Sequence, residues 1–99
     1  MIIVSQDKGT IVNFGNIQNI KIEPYGTHIK GKKIYKIFSG NFEGYEIELG
    51  TYETEERAKE VLQEIVKTYV LTEQYKVEDE RTRIKLMMEG ILLYEMPED

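Results

Sequence analysis

The first half of the chain shows the hydrophobic pattern of short strands, and the second half shows that of a helix. Over residues 1–49, apolar positions alternate with polar ones or form short β-branched clusters that glycines separate. This spacing is typical of strands joined by tight turns. We therefore predict a β-meander over residues 1–50. Its five strands are expected at residues 2–5, 10–14, 17–23, 33–39 and 42–49.

Two features of this half specify its turns and faces. Gly40-Asn41 suits a two-residue hairpin between the fourth and fifth strands, because both residue types tolerate positive φ angles. Pro24 cannot donate a ladder hydrogen bond, so we expect it to end the third strand and begin a mobile loop over residues 25–32. In the fifth strand, apolar positions 45, 47 and 49 alternate with two glutamates, which predicts one buried face.

From Thr54 onward the apolar spacing changes to i, i+3, i+4, i+7, which predicts an amphipathic helix over residues 54–72. Thr54 is the expected N-cap, and Glu55 and Lys59 are spaced to form an i,i+4 ion pair. A capping box would place Glu or Gln three residues after the cap, but this chain has Arg57 there. The apolar stripe that should lie on the sheet consists of Ala58, Val61, Leu62, Ile65, Val66, Tyr69 and Val70.

The last quarter of the chain has a weaker pattern. Residues 73–90 include a wholly polar run and fit either a short helix or a strand, and we favour a helical turn. Residues 91–96 suit an edge strand, and the acidic residues 98–99 are expected in solvent. The predicted fold class is α+β, a single domain in which one long helix packs on a face of an antiparallel sheet of about five short strands, with a short C-terminal strand.

The composition excludes several classes of functional site but does not identify a function. The 99 residues are 40% hydrophobic and 31% charged, as in one small globular domain. The absence of cysteine excludes disulfides, thiolate metal sites and thiol nucleophiles, and a single histidine excludes a two-histidine zinc site. Neither a membrane-spanning run nor a signal-peptide pattern is present, so we expect a cytoplasmic protein. We expect no cofactor and no metal.

Charge is divided between the two halves. Residues 1–37 carry six lysines against two acids, a balance of +4, whereas residues 38–99 carry −9. The overall charge of −5 disfavours non-specific binding to nucleic acid, because phosphate backbones repel a negative chain at long range. A small anionic ligand for the basic half stays compatible with these charges.

The most suggestive candidate site is a cluster of lysines and aromatic residues in the first half. Ammonium groups complement phosphates, and aromatic rings can stack on bases. Strand alternation would place positions 30, 32 and 36 on one face and positions 33 and 35 on the other. The alternative is an edge strand whose lysines prevent aggregation. The candidate ligand-binding residues are Tyr25, His28, Lys30, Lys32, Lys33, Tyr35 and Lys36, with Arg81 and Arg83 in reserve.

Catalytic patterns are weaker still. Residues 26–33 approach a phosphate-binding loop but lack the final Ser or Thr that would hold magnesium, and a strand pattern follows where that loop requires a helix. The single histidine has no partner that the sequence identifies, and the abundance of carboxylates makes any one pair uninformative. We therefore expect a protein that is not an enzyme.

Three segments resemble a group of small uncharacterised phage and prophage proteins of bacteria. They are the opening MIIVSQDK, the helix start YETEERAKEVLQEI at residues 52–65, and YEMPE at residues 94–98, about a third of the chain in all. The resemblance implies an accessory protein, with counter-defence as the expected role, and it carries no catalytic residues.

Two modes of action follow, and both stay open at this point. In the first, the protein sequesters a small nucleotide-like anion or signalling molecule through the lysine cluster. In the second, it blocks a host defence protein by placing acidic residues against a basic surface, with Glu46, Glu48, Glu56 and Glu60 as the expected contacts. A structural or assembly component of a virion is a further alternative. Because small domains gain pocket volume by symmetric assembly, we expect a homo-oligomer.

Overall fold

The chain folds as six strands and two helices in the part that the structure describes. This computed structural model describes residues 1–26, 33–77, 79–88 and 93–99. The elements in chain order are β1 (Ile2–Val4), β2 (Ile11–Asn13), a short 3-10 turn (Phe14–Asn16), β3 (Asn19–Gly26), β4 (Lys33–Gly40), β5 (Glu46–Tyr52), α1 (Glu55–Val77), α2 (Glu80–Met88) and β6 (Leu93–Glu95). No helix among these residues is long and apolar enough to cross a membrane.

The strands form two three-stranded sheets instead of one sheet of five. The first sheet has the order β2-β1-β6 and the second the order β3-β4-β5. The α+β class, the long helix on a sheet and the C-terminal edge strand are confirmed, but the single antiparallel sheet is wrong. In the first sheet β6 returns from the helices and pairs in parallel with β1, through Ile3 and Tyr94. A hydrophobic pattern shows which residues form strands but not which strands pair, so the separation into two sheets was not visible in the sequence.

The predicted two-residue hairpin at Gly40-Asn41 is also wrong. The connection runs over residues 41–45, and the Asn41 side chain accepts hydrogen bonds from the backbone N–H groups of Glu43 and Tyr45, both at 3.0 Å. Gly44 has a φ angle of +90°, which favours glycine. Because β5 starts later and is bulged opposite β4, Tyr45 and Ile47 are exposed and only Leu49 of the predicted apolar face is buried.

Pro24 does not end the third strand. β3 continues through it to Gly26, opposite Lys33. The strand lies at the edge of its sheet, where a residue without an N–H group is tolerated. The remainder of the predicted mobile loop, residues 27–32, lies outside the described residues.

The core joins both sheets to the first half of α1. Its fully buried members come from each sheet, from three helical positions and from Met96 after β6. The predicted N-cap is confirmed, since the Arg57 N–H donates to the Thr54 hydroxyl at 3.1 Å, and so is the Glu55–Lys59 pair at 2.9 Å. The helix extends to Val77, and α2, where a helical turn was favoured, packs against it. The buried core residues are Ile3, Val12, Ile37, Leu49, Tyr52, Ala58, Val61, Ile65 and Met96.

Candidate functional site: an acidic cleft at the start of helix α1

Of the predicted ligand residues, Tyr25 and Lys36 are brought together, but they are engaged with their own chain. They lie on the face of the β3-β4-β5 sheet opposite the buried Ile37. The Lys36 ammonium is 2.6 Å from a carboxylate oxygen of Glu48 and 5.0 Å from the centre of the Tyr25 ring. The hydrogen bond to Glu48 raises the pKa of Lys36. We call this surface the ion-paired face.

A second lysine on the ion-paired face makes the same kind of contact. Lys21 Nζ lies 2.7 Å from Glu23 and 2.5 Å from Glu46, and these hydrogen bonds raise the pKa of Lys21. Glu46 and Glu48, which the second mode of action assigned to a basic partner, therefore already have lysine partners. The two lysines of this face are thus shared among three glutamates, each of which has an ammonium group as a partner.

The other predicted residues are distributed over different surfaces. Lys33 and Tyr35 alternate with Lys36 along β4, as strand geometry predicts, and Tyr35 packs partly buried against the core. Because β4 is the central strand of its sheet, the alternative of a lysine-protected edge strand does not apply to its lysines. Arg81 and Arg83 lie on α2. His28, Lys30 and Lys32 lie outside the described residues, so the predicted anion site stays a prediction.

The structure forms a cleft of about 490 Å³ where β5 leads into α1. This volume is in the range of small-molecule and side-chain binding sites, roughly 300–1,000 Å³. None of the predicted ligand residues that the structure describes lines it. The lining residues are Ile34, Thr51, Tyr52, Glu53, Thr54, Arg57, Glu98 and Asp99.

Gln6 holds one wall of the cleft in place. Its side-chain oxygen accepts the Thr51 N–H at 2.8 Å, and its amide nitrogen donates to the Thr51 carbonyl at 3.0 Å. The same nitrogen donates to the carbonyl oxygens of Pro97 and Glu98, at 3.1 and 2.8 Å. One side chain therefore ties the turn after β1 to the edge of β5 and to residues 97–98. We call this group of contacts the Gln6 clasp.

Tyr52 forms the floor of the cleft. It is 2% exposed, and its hydroxyl donates to the Pro97 carbonyl at 2.9 Å. Its ring lies over Gly50, where an added Cβ would come within 2.9 Å of the hydroxyl oxygen. Burial raises the pKa of Tyr52 to about 12, so the phenol stays protonated at neutral pH. It serves as a hydrogen-bond donor and an apolar surface.

Tyr94 and Arg57 hold α1 in place beside the cleft. The Tyr94 hydroxyl donates to a Glu64 carboxylate oxygen at 2.6 Å, and burial followed by this hydrogen bond raises the pKa of Tyr94. Arg57 Nε donates to the Asp99 carbonyl at 2.9 Å, and its Nη1 donates to Glu60 at 3.1 Å. The hydrogen bond to Glu60 raises the pKa of Arg57. The single guanidinium in the cleft is thus bound to its own chain.

The carboxylates around the cleft are less well paired than those of the ion-paired face. Glu53, Glu98 and Asp99 line it, and Glu56 lies on the first turn of α1. Within the described residues, none of these four carboxylates forms an ion pair. The helix dipole gives the N-terminus of α1 a partial positive charge, which stabilises carboxylates that lie near it. We call these four residues and the cleft the acidic end.

The described carboxylates do not form a metal-binding cluster. Across the described ranges, no three His, Asp or Glu side chains are grouped so that they could hold a metal ion.

The sequence offered one signal for the cleft. The unexpected Arg57 in place of a capping-box Glu or Gln is the residue that reaches the Asp99 carbonyl. Residues 98–99 are exposed as expected, but their backbone is held by Gln6 and Arg57, and this depends on tertiary contacts that no local pattern encodes.

No protein-family model, curated protein or solved structure matches the chain. The functional argument therefore depends on the geometry of the site.

Proposed function

We propose that this chain is a non-enzymatic binding protein of the phage-accessory type and that its acidic end contacts a basic surface of a host protein. The observation that carries the proposal is a group of four carboxylates around a cleft of about 490 Å³, none of which forms an ion pair with another described residue. Of the contacts expected for the second mode of action this keeps Glu56, and it leaves out Glu46, Glu48 and Glu60, which form ion pairs within the chain.

The contrast with the ion-paired face supports this choice. On that face, the ammonium groups of Lys21 and Lys36 each lie within 2.7 Å of a glutamate. A partner would have to break these ion pairs before it could form new ones. At the acidic end a partner's lysine or arginine would meet carboxylates that lack a counter-charge. Unpaired rim charges of this kind steer association and select a partner of opposite sign.

The walls of the cleft suit a long basic side chain. Ile34 and Tyr52 provide an apolar wall and floor, and carboxylates lie at the rim. Lysine and arginine bury their methylene stems against apolar surface while the charged group stays near water or a carboxylate. An anion would be repelled by the same rim.

A direct test uses an oligo-arginine peptide as the probe in titration calorimetry at low and high salt. We expect binding that weakens with salt, and a loss of affinity of about tenfold or more in the double variant Glu53→Gln, Glu98→Gln, because two of the four carboxylates of the acidic end are neutralised. The matched control is Glu43→Gln, Glu80→Gln, which removes the same charge from two exposed positions outside the cleft. Equal losses in the two double variants, or no binding by the natural chain, would contradict the proposal.

A second candidate is the sequestration of a nucleotide-like anion. One observation favours it: Lys33 is exposed, forms no ion pair with another described residue, and adjoins the segment that contains Lys30 and Lys32. Adding ATP to the same calorimetric series distinguishes the two, since ATP binding that Lys33→Glu abolishes would favour sequestration.

A further inference from the structure

The distal half of α1 exposes an apolar surface that the fold leaves uncovered. Val66 and Val70, one helical turn apart, are 54% and 57% exposed, and Ile84 on the adjoining α2 is 49% exposed. The helical spacing of the two valines predicted burial. Exposed valines at i and i+4 in the middle of a long helix are the pattern of a helix that packs against another element.

An apolar groove continues this surface toward the body of the protein. It has a volume of about 360 Å³ and runs between α1 and the start of β3. Phe14, Ile17 and Ile20 form one side, and Leu62, Ile65 and Val66 form the other. Val66 thus belongs to both the groove and the exposed stripe, and we call the combined area the valine surface.

We infer that the valine surface binds a second copy of this chain, with the two α1 helices antiparallel and a two-fold axis at Val66. In such a contact, the residue n positions before Val66 in one copy meets the residue n positions after Val66 in the other copy. Leu62 would meet Val70 of the second copy, so apolar residues would face each other on both sides of the axis.

The charges along the helix fit the same axis. Lys59 and Glu73 lie seven residues before and seven residues after Val66, and seven residues are about two helical turns. The antiparallel arrangement places Lys59 of each copy against Glu73 of the other, twice in the dimer. Lys59 already lies 2.9 Å from Glu55 in its own chain and keeps further donors for a second carboxylate. A parallel pair would instead place like charges together.

The length of the helix is sufficient for this contact. With 23 residues, α1 is about 34 Å long. A standard interface of about 800 Å² per partner corresponds to a patch roughly 28 Å across. The apolar positions from Leu62 to Val70 occupy the middle of that length, and the groove lies beside them.

Cysteine cross-linking tests the position of the axis. Since the natural chain contains no cysteine, an introduced cysteine has no other thiol in its own chain to pair with. We expect Val66→Cys to form a disulfide-linked dimer under mild oxidation, since the two copies of residue 66 meet at the axis. The matched control is Lys67→Cys, an exposed neighbour turned about 100° around the helix, which should remain monomeric in non-reducing electrophoresis.

Sedimentation measures the association itself. The natural chain at about 100 µM should sediment with twice the mass of one 11.6 kDa chain, and Val66→Glu should raise the dimer dissociation constant by about 100-fold. Since Val66 is more than half exposed, circular dichroism should show an unchanged fold for this variant. A natural chain that is monomeric at this concentration, or a dimer that neither cross-links at residue 66 nor weakens in Val66→Glu, would overturn the inference. None of these results depends on the acidic end.

Discussion

The two halves of helix α1 have the same apolar periodicity but opposite surroundings. Ile65 is 1% exposed, whereas its neighbour Val66 is 54% exposed. In the first half, Ala58 and Val61 are completely buried, and in the second half Val70 is more exposed than Val66. The comparison teaches that periodicity predicts a helix and the orientation of its stripe, but not how far along the helix the rest of the fold covers that stripe.

Three directional contacts support the first half of α1. The Gln6 clasp, the Tyr52 hydroxyl and the Tyr94–Glu64 hydrogen bond all lie beside it. At the second half, Tyr69 stacks on Phe14 with ring centres 4.7 Å apart, and Thr72 is 2% exposed. The first half is therefore fixed by apolar burial together with directional hydrogen bonds.

The largest expected effect comes from placing a negative charge at position 65, next to the exposed position 66. Ile65→Asp puts an unpaired carboxylate into the core and removes a buried side chain, and we expect a loss of about 4–5 kcal/mol in the free energy of unfolding. Since small domains are stable by roughly 5–15 kcal/mol, this change should remove from about a third to almost all of the free energy of unfolding. Urea denaturation followed by circular dichroism measures it.

Val66→Asp is the matched control for that prediction. It adds the same charge one residue later, where more than half of the side chain is in solvent, so the free energy of unfolding of the monomer should change by less than about 1 kcal/mol. Similar losses at both positions, measured at concentrations where the chain is monomeric, would show that the monomer's own fold covers the second half of α1, which contradicts the comparison.

The local features of the fold were predictable from the sequence because local residues cause them. Thr54 caps α1 through the Arg57 N–H three residues away, and Glu55 pairs with Lys59 four residues away. The separation into two sheets was not predictable. It depends on β6 pairing with β1 across more than 90 residues, and the apolar composition of β1 is compatible with either neighbour.

The candidate site was less predictable than the fold. The lysines drew attention because they are close together in sequence, but strand alternation places Lys33 and Lys36 on opposite faces. The residues that form the ion-paired face come together only when β3, β4 and β5 pair, as when Lys36 reaches Glu48. The acidic end requires β5, α1 and residues 98–99 to meet, and only Arg57 gave a local signal.

The second prediction concerns the Gln6 clasp. Gln6→Leu keeps the approximate size of the side chain but removes one acceptor oxygen and two N–H donors, which three carbonyl oxygens share, so the Thr51 N–H and these carbonyl oxygens lose their Gln6 partner. At about 0.5–1.5 kcal/mol for each bond, we expect a loss of about 3 kcal/mol in the free energy of unfolding. Amide hydrogen exchange should also become faster at Thr51 and in the first half of α1.

Gln18→Leu is the control for the clasp. Gln18 is exposed, and it bonds to the Gly40 carbonyl through its backbone N–H, which the substitution preserves. We expect almost no change in stability or in exchange. Equal effects of the two substitutions would indicate that the Gln6 side chain contributes surface polarity and not a tie between the sheets.

The smallest effect should appear at alkaline pH. The pKa of Tyr52 is raised to about 12 in the fold, against about 10 in an unfolded chain. A group whose folded pKa is raised contributes stability that is fully present below the unfolded pKa and is lost as the pH rises through the folded pKa. The loss should therefore fall between pH 10 and about 12 and amount to about 2 kcal/mol. Tyr94, whose pKa is raised by burial and by Glu64, adds a loss of the same sign.

Variants separate this effect from the titration of lysines, which lose their charge in the same window. Tyr52→Phe removes the titrating hydroxyl and its bond to Pro97, so it should be about 1 kcal/mol less stable at pH 8 but lose less stability than the natural chain between pH 10 and 12. Tyr45→Phe, at a position 68% exposed, should reproduce the natural pH profile. If all three profiles are parallel, the Tyr52 hydroxyl is accessible to water in solution, and the fixed end of α1 is then no better closed than its exposed half.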